Sequence, residues 1–166
     1  KKGILKGTQL SYIGDGNNVA HSLLYGCAKL GVNLTVAAPG RYQPKQEIVK
    51  EALRMAQVSG AKMVLTDNPS VAAKAADIIY TDVWTSMGSE AEYKKRKKDF
   101  QAFQVNKELI SSAKPDCLIM HCLPAHRGEE ITDEVIDGPN SVVFDQAENR
   151  MHVQKAILLM LLGGDR

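Results

Sequence analysis

Apolar residues fall along this chain in short alternating runs separated by stretches with helical spacing. Thr8-Gln9-Leu10-Ser11-Tyr12-Ile13 alternates and stops at Gly14, which predicts a strand. Gly14-Asp15-Gly16-Asn17-Asn18 reads as a turn. Val19, Leu23, Leu24, Cys27 and Leu30 then recur at helical spacing, and Gly31 supplies a C-terminal stop. Residues 32–38 predict a second strand, closed by Pro39-Gly40, so the first unit is β-α-β with a right-handed crossover. The alternation continues with a helix over 45–58, a strand over 62–66, a short alanine-rich helix over 69–76 and a strand over 77–81 that delivers Asp82. A helix over 89–103 follows. Its Ser89 and Glu92 have capping-box spacing, and its acids precede its bases, the order the helix dipole favours. Asn106 is placed to cap a short helix to 111, and residues 117–120 predict a further strand. Thr132 is placed to cap a helix ending at Gly138-Pro139. Residues 141–144 read as a short edge strand, and the last helix spans 148–162.

Strands alternating with helices predict an α/β fold: a Rossmann-like, mostly parallel sheet of about five strands with helices on both faces. No repeat, low-complexity stretch or linker interrupts it, so residues 1–166 read as one domain. One element fits poorly. Ala156-Ile157-Leu158-Leu159-Met160-Leu161-Leu162 is apolar on every face of a helix, whereas a surface helix shows one stripe. It is either a core helix with a greasy tail or a surface for a partner or domain outside this chain.

Composition narrows the class. The 166 residues suffice for a real hydrophobic core. The formal net charge of +2 gives no case for nucleic acid as a partner. Cys27, Cys117 and Cys122 are an odd, sparse set rather than a disulfide framework, which favours a reducing setting, and a cytoplasmic location is expected. No segment is long enough to cross a membrane, and residues 1–7 lack the apolar run of a signal peptide.

Candidate chemistry gathers where strands end, the edge at which open α/β sheets bind ligands. Gly14-Asp15-Gly16-Asn17-Asn18 imitates a dinucleotide fingerprint, but position 19 is Val19 instead of glycine. The acid wanted roughly 20 residues on is also missing, since the second strand ends Ala37-Ala38-Pro39 and the next acid is Glu47. A nicotinamide-dependent dehydrogenase fragment is therefore disfavoured, and no cofactor is expected. The turn is either a small-anion site built from a helix N-terminus with the Asn17 and Asn18 amides, or a tight turn with an asparagine cap. Asp82 can face the ligand edge and pair with an ammonium, or serve only as a turn residue. Ser86-Met87-Gly88 has the small residues of a close-approach loop, and Trp84 reads as packing. His121-Cys122 is too little for a metal site. Adjacent side chains on an extended segment point to opposite faces, so His121 is not automatically a base for Cys122, and a buried inert thiol is the plain alternative. His21 reads as a helix-packing histidine, His126 and His152 carry no signal, and the basic run 94–98 reads as a solvated helix face. Arg150 opens the last helix, where a cation opposes the dipole and so asks for an anionic partner, the simplest being Glu148 or a nearby acid. A carboxylate binder beside an amine binder describes an amino-acid site.

Four motifs together resemble the ornithine carbamoyltransferases: Gly14-Asp15-Gly16-Asn17-Asn18, Asp82-Val83-Trp84-Thr85-Ser86-Met87-Gly88, His121-Cys122-Leu123-Pro124 and Ala147-Glu148-Asn149-Arg150. The stretch 121–128 looks like the bacterial type. The family's N-terminal domain, with its Ser-Thr-Arg-Thr-Arg phosphate-binding motif, has no counterpart here. The resemblance thus implies the ornithine-binding domain alone, inactive by itself, with its last helix packing against the missing domain. It implies transfer of the carbamoyl group of carbamoyl phosphate to the δ-amine of L-ornithine, giving citrulline and phosphate in arginine metabolism, by a homotrimer when intact. Carried over by position, Asn18 and the Met87 backbone would hold the α-carboxylate. Asp82 and Ser86 would hold the α-amino group. Cys122, near Asp82, would help the δ-amine lose its proton. Leu123 through its carbonyl, Arg150, Cys122 and His121 would meet carbamoyl phosphate. A stand-alone amino-acid-binding module is the alternative.

Overall fold

The computed structural model of the protein describes residues 1–85 and 92–163. Five strands form one parallel sheet: β1 (Gln9–Ile13), β2 (Asn33–Ala37), β3 (Met63–Thr66), β4 (Ile78–Thr81) and β5 (Leu118–His121), in the order β3-β2-β1-β4-β5. Helices α1 (Asn18–Leu30), α2 (Gln46–Ser59), α3 (Pro69–Ala73), α4 (Tyr93–Asp99), α5 (Lys107–Ile110), α6 (Asp133–Ile136) and α7 (Val143–Leu162) connect and follow them. The chain winds outward from β1 to β3, then crosses back to lay β4 on the other side of β1. The strand order therefore reverses between β1 and β4, and the crevice at that reversal is where such sheets take ligands.

The local signals worked where they were self-contained. Asn17 caps α1 by accepting from Val19 N at 2.9 Å, and Asn106 caps α5 by accepting from Leu109 N at 2.9 Å. Gly31 and Gly60 close α1 and α2 in the left-handed conformation that glycine adopts without steric cost.

Inward-facing residues alternate along each strand and divide the core in two. Leu10, Tyr12, Leu34, Val36 and Tyr80 pack against α1 and α2 on one face. Ile13, Ala37, Ile79 and Ile119 pack with Trp84, Phe100, Ile131 and Val135 on the other. The register aligns all five strand ends: Ile13 pairs with Ala37 and Thr81, Ala37 with Thr66, and Thr81 with His121. Asp82 and Cys122 each follow the last residue of neighbouring strands and so share a face, while His121 points to the opposite one.

Several expectations are corrected. Residues 141–144 form no edge strand: one bridge joins Ile119 and Ser141, and α7 begins at Val143. Arg150 therefore lies well inside α7 instead of opening it, and the conflict with the helix dipole disappears. Thr132 occupies the N-cap of α6, but its side chain makes no capping bond, and its hydroxyl is buried without a partner among the described residues. The helix expected over 89–103 is α4 followed by a short 3-10 turn at Gln101–Phe103, and Ser89 lies outside the described residues. The tail of α7 is no core helix, since Leu159, Met160, Leu161 and Leu162 are all more than 70% exposed. Among the described residues no helix is long and apolar enough to cross a membrane.

Two glycines make a matched test of this packing. A Cβ on Gly16 would sit 2.4 Å from both Pro44 N and Tyr42 O, whereas one on Gly26, inside α1, would meet nothing within 4 Å. Gly16→Ala should destabilise the fold by about 1–3 kcal/mol, the cost of overpacking. Gly26→Ala should stabilise it by up to about 1 kcal/mol through helix propensity. Urea unfolding midpoints moving in opposite directions would verify both.

Candidate functional site

The turn after β1, the turn after β4 and the end of β5 meet in one place. Asp82 is buried, and its carboxylate is held from three directions. Oδ1 accepts from Val83 N at 2.8 Å and from Cys122 Sγ at 2.9 Å, and Oδ2 accepts from Asn17 Nδ2 at 3.4 Å. Asn17 thus caps α1 and braces Asp82 at once. Asn18, one residue on and paired with Asn17 in the sequence reading, is exposed in the first turn of the helix, where a helix N-terminus favours an anion.

Burial and the neighbouring Asp82 carboxylate push the Cys122 thiol up to about 12. It is therefore a neutral donor to Asp82 at ordinary pH. Tyr80 lies beside it; burial first, then the nearby thiol, pushes its phenol up as well. Tyr80 OH accepts from Gln146 Nε2 at 2.9 Å, and Gln146 Oε1 accepts from His121 N at 3.1 Å. Gln146, in the first turn of α7, stitches that helix to the ends of β4 and β5. No sequence signal marked it, because the helix was expected to start later.

His121 is fully buried and makes no bond to Cys122. Its Nε2 faces Glu130 Oε1 at 3.2 Å, and its Nδ1 accepts from Leu123 N at 2.8 Å. Leu123 has φ +56°, a left-handed conformation that costs a non-glycine residue about 1–3 kcal/mol and needs outside support. Arg150 is exposed, and Glu148, the simplest partner offered for it, faces His152 Nε2 at 3.2 Å. Ser86 and Met87 lie outside the described residues.

Arg96 overturns the expectation of a solvated basic face. Its neighbours in the run 94–98 are exposed or nearly so, but Arg96 is 6% exposed. Its guanidinium pairs with Asp15, donates from Nε to Trp84 O at 2.6 Å and lies over the rings of Tyr42 and Phe100, 4.6 and 5.4 Å from their centroids. It clamps the turn after β1 to the turn after β4, so the two sides of the crevice are fixed to each other. Asp15 also carried no sequence signal beyond its place in the turn.

His126, Glu129 and Glu130 bring possible metal-ligand atoms within 4.8 Å of one another. Protein donors already occupy one oxygen of each carboxylate: Lys97 Nζ at 2.9 Å and Tyr93 OH on Glu129 Oε1, and His126 N at 2.6 Å on Glu130 Oε1. A cavity of about 680 Å³ opens between the start of α2 and the end of β3, lined by Gln43, Lys50, Thr66 and Asp67 among others; neither Asp82 nor Cys122 lines it.

Comparison with known proteins places this geometry. Residues 6–161 match the family model for the aspartate/ornithine carbamoyltransferase, Asp/Orn binding domain. An ornithine carbamoyltransferase of Pyrococcus abyssi is 58% identical over 99% of this chain and 52% of its own length. One of Bacillus subtilis is 56% identical over 97% of this chain and 50% of its own. The solved ornithine carbamoyltransferase of Pyrococcus furiosus superposes with a TM-score of 0.95 at 56% identity, covering 99% of this chain and 53% of that one. The chain spans about half the length of the curated relatives it matches.

Two measurements probe the geometry. Asp82 supplies two of the causes that raise the Cys122 thiol, so Asp82→Asn should lower its pKa. Alkylation of Cys122 at pH 8.5 should then run several-fold faster than in the wild type, with Cys27 and Cys117 remaining buried and slow; an unchanged rate contradicts the Asp82 contact. Arg96→Ala should cost about 3–5 kcal/mol, because it strands a buried carboxylate, and Asp15→Asn in the same chain should recover part of that loss. Denaturant titration of the two single variants and the double variant measures the coupling.

Proposed function

The chain belongs to the aspartate/ornithine carbamoyltransferase family through its Asp/Orn binding domain, and from that premise we propose that it is the L-ornithine-binding half of an ornithine carbamoyltransferase. Its reaction would transfer the carbamoyl group of carbamoyl phosphate to the δ-amine of ornithine, giving citrulline and phosphate. The observation that carries this reading is the Asp82–Cys122 pair at the strand-order reversal, 2.9 Å apart and facing the start of α1. An aspartate for an ammonium and a helix N-terminus for a carboxylate, side by side, match the two ends of an α-amino acid.

The chemistry follows from the charges. In this reading the α-ammonium of ornithine settles on Asp82, with Ser86 alongside, and the α-carboxylate meets Asn18 and the Met87 backbone. The side chain then runs toward Cys122. A δ-ammonium has a pKa near that of lysine, about 10, and is no nucleophile until it loses a proton. The Cys122 S–H already points at Asp82, so a relay in which Sγ hands its proton to the Asp82 carboxylate as it takes one from the δ-ammonium would free the amine and leave the proton on the aspartate. The freed amine attacks the carbonyl carbon of carbamoyl phosphate, the bond from that carbon to the phosphate oxygen breaks, and phosphate leaves with its electron pair and takes up the proton that the attacking nitrogen sheds. Holding the two reactants in line can avoid roughly 7–11 kcal/mol of barrier. Leu123 would offer its carbonyl to the carbamoyl NH2. His121 serves from behind the turn rather than touching substrate, and Arg150 would reach the phosphate only in the assembled protein.

The remaining half of such a protein would bring the other cations for the phosphate and cover the exposed end of α7. The 166-residue chain alone is accordingly proposed to bind ornithine weakly and not to turn over, and the trimeric assembly would depend on the rest of the protein.

A citrulline assay on the intact protein tests the reading. Wild-type protein should form citrulline from ornithine and carbamoyl phosphate, Asp82→Asn should lose at least 100-fold in kcat/KM, and Asn18→Ala should raise the KM for ornithine more than it lowers kcat. Absence of citrulline, with ornithine binding undiminished in the absence of carbamoyl phosphate, would favour an amino-acid-binding module instead.

A further inference from the structure

Glu130 is a fully buried carboxylate that the reaction above does not use. It is 0% exposed, as is His121. Its backbone is anchored by Val105 N, which donates to Glu130 O at 2.8 Å. Oε1 accepts from His126 N at 2.6 Å and faces His121 Nε2 at 3.2 Å, while Oε2 has no hydrogen-bond partner among the described residues. A buried acid with one oxygen unpaired is poorly explained by packing, which an apolar side chain of that size would serve better.

The hydrogen bonds around the imidazole define its proton. A backbone N–H can only donate, so the 2.8 Å contact from Leu123 N requires a bare Nδ1 on His121. The ring proton therefore lies on Nε2 and is donated to Glu130. Without the carboxylate nothing on that side favours this tautomer. A proton on Nδ1 would set two donors against each other at Leu123, the residue held at φ +56°.

We propose that Glu130 is a positioning residue: by fixing the Nε2–H tautomer of His121 it keeps Nδ1 as the acceptor that holds the Leu123 amide, and through His126 N it pins the far end of the same turn. The turn 121–126 carries both the Cys122 thiol and the Leu123 carbonyl, so Glu130 sets where they are presented without touching a substrate. The proposal rests on the carbamoyl-transfer reading for its kinetic consequence and on geometry alone for the tautomer.

The test uses the intact protein, Glu130→Ala, and Glu130→Gln, which keeps an acceptor oxygen in place. Nitrogen NMR of the His121 ring should show Nε2–H in the wild type and in Glu130→Gln, and a shift to Nδ1–H or a mixture in Glu130→Ala. Displacing the turn should cost Glu130→Ala about 10- to 100-fold in kcat/KM for carbamoyl phosphate, with its KM raised more than that for ornithine, and Glu130→Gln should recover most of the loss. An Nδ1–H or doubly protonated ring in the wild type overturns the proposal, and this holds even if Glu130→Ala fails to fold. So does an unchanged ring signature in Glu130→Ala, or equal losses in both variants. A wild-type protein that makes no citrulline yet shows the Nε2–H ring refutes the functional reading and leaves the tautomer assignment standing.

Discussion

The crevice depends on one buried cation. Arg96 sits between the turn after β1 and the turn after β4, with Asp15 on one side, the Trp84 carbonyl on another and aromatic rings above. Its desolvation has to be offset by all of these together, because a buried ion pair gains little over an apolar packing of the same volume. What the pair adds is specificity of position. Tyr42, which stacks on the guanidinium, also donates its hydroxyl to Asp99 at 2.9 Å, and Tyr42 O accepts from Gly16 N at 2.7 Å. Four separated pieces of chain are thereby referred to one point, and Asp82 and Asn17 inherit their separation from it.

Much of the architecture was legible because its causes are local. Five strands, α1 and α2 announce themselves through alternation, helical spacing and glycines at helix ends, and each of these signals acts within a few residues. Failures came where the deciding partner is remote. Arg96 is the one arginine in a run of lysines, but its partners are remote: Asp15, 81 residues away, the Trp84 carbonyl and the rings of Tyr42 and Phe100 select it for burial. Ser141-Val142-Val143-Phe144 has the β-branched run of a strand, yet Val143 is buried in the first turn of α7, and packing against β5 overrides local preference. That shift in turn hid Gln146 and misplaced Arg150.

At the site the same division holds. The period of two along a strand was enough to separate His121 from Cys122, and parallel register then sets Cys122 beside Asp82. Asn17 and Asn18 could not be ranked from sequence, because one residue of difference in where the helix begins exchanges the cap for the first exposed position. Glu130 left no trace, since a glutamate in a polar loop is the ordinary case, and its burial goes with remote pairing of its loop, in which Val105 N donates to Glu130 O. Physical reasoning from the chain therefore located the crevice but not the side chains that hold it rigid.

The level ending of the five strands has an evolutionary consequence. Because Thr66, Ala37, Ile13, Thr81 and His121 lie in one row, the residues just beyond them are dealt to a face by parity alone. A one-residue insertion or deletion within β4 or β5 would turn Asp82 or Cys122 to the far side of the sheet, and no adjustment of side-chain torsion could return it. Loops at the opposite edge carry no such constraint. The stretches of β4 and β5 that lead to the aspartate and the thiol are thus fixed in length and can change only by substitution.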